Sequence, residues 1–282
     1  MAVGLALPFA WALGYAALYS LGLAGLPSAR PTLQYWSAAV QDGALLGSLG
    51  ISLWLATTIT LTATTLALAL TLCAEPLLRR PSGRLLVALP LTMPVLVAGF
   101  VVYQGLNPGG LLARIGAELG LLENPSDFPI LVNDRFGIGI VLAHSLSATP
   151  LLTLFFLQLW RARRGDERLL LAASLGASKW QARLHVALPL LLLNGRAVIL
   201  LIFILSLGSF EIPLLLGRED PQMFSVLIER KATGYDLQER PEAFALSLVY
   251  FFLVTTLLMV FLRLRKRSGT HFLPPHQSET AA

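Results

Sequence analysis

Long apolar stretches alternate with short polar ones along this chain, and within each stretch the apolar residues follow one another without interruption. A helix that crosses a bilayer needs roughly 20 such residues, and runs of about that length recur about six times. They lie near 3–26, 45–72, 85–106, 136–159, 190–214 and 243–262. The strands of a membrane β-barrel are about half as long and alternate in polarity. The pattern therefore predicts an all-α, polytopic membrane protein with about six transmembrane helices.

The first run has a second interpretation, a cleaved signal peptide. However, no basic segment precedes it, and it is longer than the apolar core of about 7–15 residues that signal peptides carry. A retained helix is therefore favoured. The single cysteine, Cys73, lies in the second run and has no partner for an intrachain disulfide.

Composition agrees with a membrane environment, because 55% of the residues are hydrophobic and only 13% are charged. Soluble chains carry about 25% charged residues. Thirteen of the 21 basic residues follow the second, fourth and sixth runs, at Arg79, Arg80, Arg84, Arg161, Arg163, Arg164, Arg168, Lys179, Arg183, Arg263, Arg265, Lys266 and Arg267. The positive-inside rule then predicts that both termini and residues 161–189 are cytoplasmic. The net charge of +5 fits contact with anionic membrane lipid, and we expect no nucleic-acid partner.

Residues 170–189, LLAASLGASKWQARLHVALP, form a polar and basic segment between two apolar runs. The small residues Ala172, Ala173 and Ser174 allow another helix to approach closely. Gly176 allows the backbone to leave a helix, and Leu175 offers an apolar side chain. Pro189 is predicted to begin the next helix, where its missing N–H costs little. We interpret the segment as a docking loop for a soluble partner. The alternative is an amphipathic connector in which alanine and glycine reflect helix propensity alone.

The spacing of this segment resembles the coupling-loop signature of ABC importer permeases, Glu-Ala-Ala-x-x-x-Gly followed by x9-Ile-x-Leu-Pro. Gly176 is followed by nine residues and then by Val-x-Leu-Pro at 186–189. Leu170 and Leu171 depart from the signature, since they stand where the family has glutamate and its first alanine. Residues 45–70, residues 85–99 and the segment GSFEIPLLLG at 208–217 also resemble the family, so the likeness covers roughly 45–262.

This resemblance implies the type I ABC importer permease fold, with an N-terminal helix and connector at 1–42, a transmembrane core at 43–264 that includes the coupling loop 161–189, and a polar tail at 265–282. It implies residence in a bacterial inner membrane and no cofactor. The implied partners are two cytoplasmic ATP-binding subunits, a second and non-identical permease subunit, and a periplasmic solute-binding protein. The residues implied to contact the ATPase are Leu170, Ala172, Ala173, Ser174, Leu175, Gly176, Ala177, Ser178, Leu188 and Pro189.

Polar residues inside the apolar runs are candidates for a solute pathway, because burying them in lipid is costly. These are His144, Asn194, Arg196 and Glu211. Each has an alternative: His144 as a packing residue, Arg196 with Asn194 as a pair reaching the interface, and Glu211 as a surface residue. The threonines between Thr57 and Thr65 are interpreted as helix-packing residues.

The chain has no phosphate-binding Gly-x-x-x-x-Gly-Lys-Ser/Thr loop and no His-Glu-x-x-His metal pair, so we expect a transport subunit without its own ATP site or metal. A secondary transporter is the main alternative, although its apolar runs would carry more acidic residues. A membrane enzyme is the second alternative. The segment at 208–217 resembles the polyamine, ferric iron and thiamine branch of the permeases, which favours a polyamine or a similar cationic or chelated solute.

Overall fold

The computed structural model describes residues 2–25 and 31–268, and this part of the chain is helical with no strand. The all-α prediction is confirmed. Residues 269–282, most of the predicted polar tail, lie outside the described residues. The chain divides into two compact units, one built from residues up to Asp42 and from Ile228 onward, the other from Gly43–Leu227.

The second unit contains the helices that are relevant to function. They are α3 (Ala44–Cys73), α4 (Glu75–Arg79), α5 (Pro81–Ala88), α6 (Val95–Leu106), α7 (Leu111–Glu118), α8 (Ile138–Ala162), α9 (Gly165–Ser174), α10 (Lys179–Ala182), α11 (Leu188–Leu207) and α12 (Glu211–Leu216). The first unit contains α1 (Ala2–Ser20), α2 (Gln34–Gln41) and α14 (Arg240–Ser268), while α13 (Phe224–Thr233) begins in the second unit and ends in the first.

Five helical stretches among the described residues are long and apolar enough to cross a membrane. They are Ala44–Cys73, Val95–Glu118, Ile138–Ala162, Lys179–Leu207 and Arg240–Leu264. The first predicted run forms α1, which is 19 residues long and is not among the five. A sixth span therefore stays a prediction.

The third predicted run, 85–106, was wrong as a single helix. α5 ends at Ala88, residues Leu89–Thr92 form one 3₁₀ turn, and α6 begins at Val95. Two prolines cause the break: Pro90 and Pro94 lack the N–H that an α-helix requires. The residue before Pro94, Met93, is extended, as steric contact with a proline ring favours.

The fifth predicted run, 190–214, was placed too late in the chain. Its helix already begins at Lys179, passes through a π-helical turn at Arg183–Ala187, and ends at Leu207. Residues Gly208–Phe210 separate it from the short α12. The polar loop and the apolar run thus share one continuous helix, a feature that hydropathy does not reveal.

α3 is 30 residues long, about 45 Å, and packs against α8 through a stripe of small residues. The buried positions along α3 include Ser48, Ser52, Ala56, Thr60, Ala63, Thr64 and Ala67. Several hydroxyls donate a hydrogen bond to the backbone carbonyl one turn earlier in the helix, as Thr60 Oγ1 does to the Ala56 oxygen at 2.7 Å. Thr62 Oγ1 lies 3.3 Å from Ser145 Oγ on α8. The hydrogen bonds of Thr60 and Thr62 allow close approach of the two helices at those positions, whereas Thr64 Oγ1 is buried without a hydrogen-bond partner among the described residues.

The first unit is held together by aromatic packing and by an ion-pair cluster. Tyr19 on α1 and Phe244 on α14 have ring centroids 4.4 Å apart. Lys231 Nζ lies 3.0 Å from Asp42 Oδ2 and 2.8 Å from Glu242 Oε2, and its side chain is only 8% exposed. Because a buried ammonium needs compensating charge, these two carboxylates fix the end of α13 against the end of α2 and the first turn of α14.

Candidate functional site

The segment that resembles the coupling loop folds as two short helices joined by a tight turn. α9 ends at Ser174, and the chain turns at Gly176, whose φ is +87°. The Gly176 N–H donates to the Ala173 oxygen and the Ala177 N–H donates to the Ala172 oxygen, each at 3.0 Å. This is the Schellman arrangement that ends many helices and strongly favours glycine at its left-handed position. Gly176 therefore acts as the sequence predicts.

Ser178 begins α10 with a reciprocal cap. Its Oγ accepts from the Gln181 N–H at 3.3 Å, and the Gln181 Oε1 accepts from the Ser178 N–H at 2.9 Å. This capping box satisfies two backbone donors that the start of a helix leaves open. The loop is therefore a defined helix–turn–helix, rigid at both sides of the turn.

Side chains on neighbouring helices attach the loop to the membrane helices. Asp166 Oδ1 accepts from Trp160 Nε1 on α8 and from Arg79 Nη2 on α4, each at 3.1 Å. Gly165 lies against the Trp160 ring so closely that a β-carbon there would be 2.2 Å from ring atoms. Glu167 pairs with Arg164 at 3.5 Å. Asp166 therefore connects the start of α9 to the end of α8 and to α4.

Three leucines are exposed on the loop. Leu175 is 89% exposed, and Leu170 and Leu171 are also exposed on α9. A cavity of about 550 Å³ opens beside Leu170. Its lining includes the small residues Ala173 and Ala177 and the charged residues Arg79, Asp166, Lys179 and Arg183. Exposed leucines of this kind suit the docking of a partner protein.

The prediction that Pro189 begins a new helix was wrong. Leu188 and Pro189 lie inside the continuous helix, directly after the π-helical turn at Arg183–Ala187. A proline in a helix loses one hydrogen bond and its ring crowds the preceding turn. The wider π-helical turn relieves that crowding, so the helix continues through the proline.

The four intramembrane candidates do not form one group. His144 and Glu211 line a single cavity of about 520 Å³, with Ser147, Ser206 and Ser209 among the other lining residues. His144 Nε2 is buried, and among the described residues it has no hydrogen-bond partner. Asn194 and Arg196 lie elsewhere on α11, where Asn194 Nδ2 donates to the Leu190 oxygen at 2.7 Å and Arg196 is half-buried.

Asp166, Trp160, Arg79 and Gly165 were missed by the sequence analysis. Their contacts join positions as far as 87 residues apart, and no local pattern reports such a pairing. The cap at Ser178 was missed although its signal was present, since serine followed three residues later by glutamine is a capping-box pattern.

Replacing Gly165 with alanine is expected to lower the free energy of unfolding by about 2 kcal/mol, because the Trp160 ring would have to move and release Asp166. Thermal unfolding in detergent would measure the change. Gly50→Ala is the matched control, since a β-carbon at Gly50 meets nothing within 4 Å. Equal melting temperatures for the two variants would contradict the close contact with Trp160.

Relatives with sequence similarity are transport permeases. The chain is 33% identical over 207 residues to the thiamine transport system permease protein ThiP of Escherichia coli, which covers 71% of this chain and 36% of the relative. It is 34% identical over 158 residues to the probable ABC transporter permease protein y4fN of Sinorhizobium fredii, covering 53% of this chain and 26% of the relative. The chain thus spans about a third of the length of the curated relatives it matches. No family model matches the chain.

Solved structures show the same fold. One is a bacterial ABC transporter involved in the import of the acidic polysaccharide alginate, with a TM-score of 0.67 and 15% identity over 89% of this chain and 88% of that one. Another is the alginate ABC transporter in complex with an alginate pentasaccharide-bound periplasmic protein, with a TM-score of 0.62 and 16% identity over 89% and 87% of the two chains. This chain is therefore a relative of the ABC transporter permeases and has the fold of ABC importer permeases.

Proposed function

We propose that this chain is a membrane-spanning permease subunit of an ATP-driven importer. It passes a small solute, delivered by a periplasmic binding protein, across the bacterial inner membrane into the cytoplasm. Two ATP-binding subunits and a second, non-identical permease subunit complete the assembly, with both termini of this chain cytoplasmic. The proposed domain division is the one predicted from the sequence, with the core at 43–264.

The observation that carries this proposal is the helix–turn–helix at 165–182. Its turn, its caps and its attachment to α8 form a small rigid body that presents exposed leucines. A soluble ATPase needs such a body, because a flexible loop would absorb a push instead of transmitting it. A secondary transporter has no use for an apolar docking surface on a connecting loop.

The proposed mechanism is alternating access. Nucleotide binds the closed pair of ATPases more tightly than the open pair, and this difference in affinity shifts the permease toward its outward-facing state. The loop is the element through which the shift reaches the membrane: α9 moves with the ATPase, and Asp166 passes the movement to α8 through Trp160. Hydrolysis would then return the permease to the inward-facing state.

The solute class we favour is an organic cation such as a polyamine or thiamine. Two observations support it: the relatives named for thiamine transport and the Glu211 carboxylate on the cavity that it shares with His144. The alginate importers act on an acidic polysaccharide, but at 15–16% identity they support an inference about the fold and not about the solute.

Purification from the native membrane in mild detergent tests the proposal. An ATP-binding subunit is expected to co-purify with the chain, and Leu175→Asp is expected to reduce its recovery at least about tenfold. Burying a leucine stabilises an interface by about 1.5–3 kcal/mol, and a charge at this position would also have to be desolvated. Mass spectrometry of the recovered proteins is the measurement.

Leu119→Asp is the matched control. Leu119 is 69% exposed and follows the last residue of α7 just as Leu175 follows the last residue of α9. Its loop is predicted to lie on the opposite side of the membrane, so the ATPase should still co-purify. Absence of any ATPase from the unsubstituted chain would remove the importer proposal and leave a secondary transporter as the better candidate.

A further inference from the structure

The cavity lined by His144 and Glu211 has mostly apolar surroundings, in which an unpaired polar group is destabilising. Most of its lining is apolar, from Leu91 and Val95 to Leu205 and Ile212, and four of its polar members are Ser147, Ser206, Ser209 and Glu211. Its volume of about 520 Å³ falls within the range of about 300–1,000 Å³ that is usual for small-molecule sites.

Two interruptions of helical structure meet at this cavity. Leu91 and Val95 come from the proline break between α5 and α6, and Gly208–Phe210 form the break between α11 and α12. Irregular backbone within a membrane is tolerated only where protein buries it or where it lines a polar cavity. The position of both breaks beside the same space is an argument, independent of the side chains, for a hydrated pocket.

One hydrogen-bonding group of the pocket, the Nε2 atom of His144, is left unpaired by the described residues. His144 Nε2 is buried beside the space, and the part of the chain that the structure describes offers it no hydrogen-bond partner. A buried polar atom of this kind is destabilising unless something binds it. An imidazole nitrogen can donate or accept according to its tautomer, so it suits a ligand with a hydroxyl, an amine or a ring nitrogen.

The charge of the pocket is set by Glu211. It is the one acidic residue among the lining residues, and none of them is lysine or arginine. The start of α6 at Val95 also reaches the pocket, and a helix N-terminus carries about half a positive charge. The full negative charge of the Glu211 carboxylate outweighs it, so a cation is favoured over an anion.

We propose that this pocket is a binding site within the membrane for an organic cation with an apolar body, in which the Glu211 carboxylate pairs with the positive charge, His144 Nε2 makes a hydrogen bond, and the leucine and isoleucine side chains contact the apolar part. The proposal rests on the proposed function in one respect, namely that this cation is the imported solute. Glu211 lies in the first turn of α12 and is exposed, so a solute can reach its carboxylate.

Charged thiol reagents test the pocket without any transport assay. Cys73 is replaced with serine, which removes the single native thiol, and Ser147→Cys introduces one thiol in the pocket. The full-length chain, with the proteins that co-purify, is then labelled with a trimethylammonium-ethyl or a sulfonatoethyl methanethiosulfonate. Ser209→Cys is the second labelling position, used if Ser147→Cys does not yield folded protein.

Adding Glu211→Gln is expected to lower the ratio of cationic to anionic labelling rates by at least about fivefold, because one unit charge acts in opposite directions on the two reagents. Glu219→Gln should leave the ratio unchanged, since Glu219 is exposed and does not line the pocket. Spermidine, thiamine or choline is expected to slow labelling, whereas glutamate and glucose are not.

The inference is overturned if neither cysteine reacts, if the ratio ignores Glu211→Gln, or if none of the three cations protects. These results are independent of the ATPase. If an ATPase co-purifies but Glu211→Gln leaves the labelling ratio unchanged, the importer proposal stands and the proposed binding site fails. If Glu211→Gln lowers the labelling ratio and the cations protect, but no ATPase co-purifies, the proposed binding site stands and the importer proposal fails.

Discussion

Lys231→Met is expected to lower the free energy of unfolding by about 2–3 kcal/mol. The substitution leaves Asp42 and Glu242 facing each other without the ammonium that lies 3.0 and 2.8 Å from their oxygens. Removing one partner of a fully buried ion pair costs about 3–5 kcal/mol. We expect less here, because the Asp42 side chain is 41% exposed and water screens part of its charge. Unfolding by increasing denaturing detergent would measure the loss.

Two further variants separate the ion pairs from the apolar packing of the lysine stem. Adding Asp42→Asn and Glu242→Gln to Lys231→Met is expected to recover at least half of the loss, because no uncompensated charge remains. Glu229→Gln, an exposed position on the same helix, should change the free energy of unfolding by less than about 0.5 kcal/mol. A triple variant as unstable as Lys231→Met would indicate that packing, not charge, is responsible.

The pH dependence of this cluster follows from the pKa of Lys231. Burial alone would lower that pKa, but the hydrogen bonds to the Glu242 and Asp42 carboxylates, and their charges, raise it above its usual value of 10.5. A raised lysine pKa gives stability that is complete below the unfolded value and lost as the pH rises through the folded value. The difference in stability between the unsubstituted protein and Lys231→Met should therefore stay constant from neutral pH to about 10.5 and shrink above it.

Gly176→Val is expected to abolish co-purification of the ATPase and ATP-driven uptake while the chain still inserts and folds. At φ +87° a β-branched side chain is strained, and the strain is on the order of 1–3 kcal/mol. The turn would relax by breaking the two hydrogen bonds to Ala172 and Ala173, and Leu175 would lose its position. The effect is conformational, because a β-carbon at Gly176 meets nothing within 4 Å.

Gly120→Val is a closely matched control. Gly120 ends α7 with the same Schellman hydrogen bonds, has φ +70°, and also has open space around its missing β-carbon. Both variants should therefore lose similar stability, but only Gly176→Val should lose the ATPase. Gly176→Asn, which tolerates the left-handed conformation better, is expected to retain part of the activity. Equal loss of ATPase in Gly120→Val and Gly176→Val would show that general destabilisation explains the effect.

Local features of the fold could be predicted where one stretch of residues carries the whole cause. Gly176 was predicted to end its helix because glycine tolerates a left-handed conformation, and that property does not depend on the rest of the molecule. The break at Pro90 and Pro94 was open to prediction in the same way, and a continuous hydropathy signal concealed it. The capping box at Ser178 was equally local.

Features that join distant segments could not be predicted in this way. Asp166 meets Arg79 across 87 residues, and Lys231 meets Asp42 across most of the chain. Equally, no local pattern groups His144 with Glu211 or separates both from Arg196. Each of these pairings depends on which faces of the helices are packed together, and hydropathy cannot distinguish those faces when a helix is apolar all round.

The sequence by itself determined the membrane environment, the all-helical class and the turn at Gly176, because each follows from how a run of neighbouring residues interacts with lipid, water or its own backbone. Only the tertiary structure decided where the helices break, that the loop and α11 form one helix through Pro189, and which polar residues share a cavity. The physical reason is that close packing of small side chains and hydrogen bonds between helices determine how the helices of a membrane protein are arranged. Those interactions join residues far apart in the chain, so they become visible only once the helices are assembled.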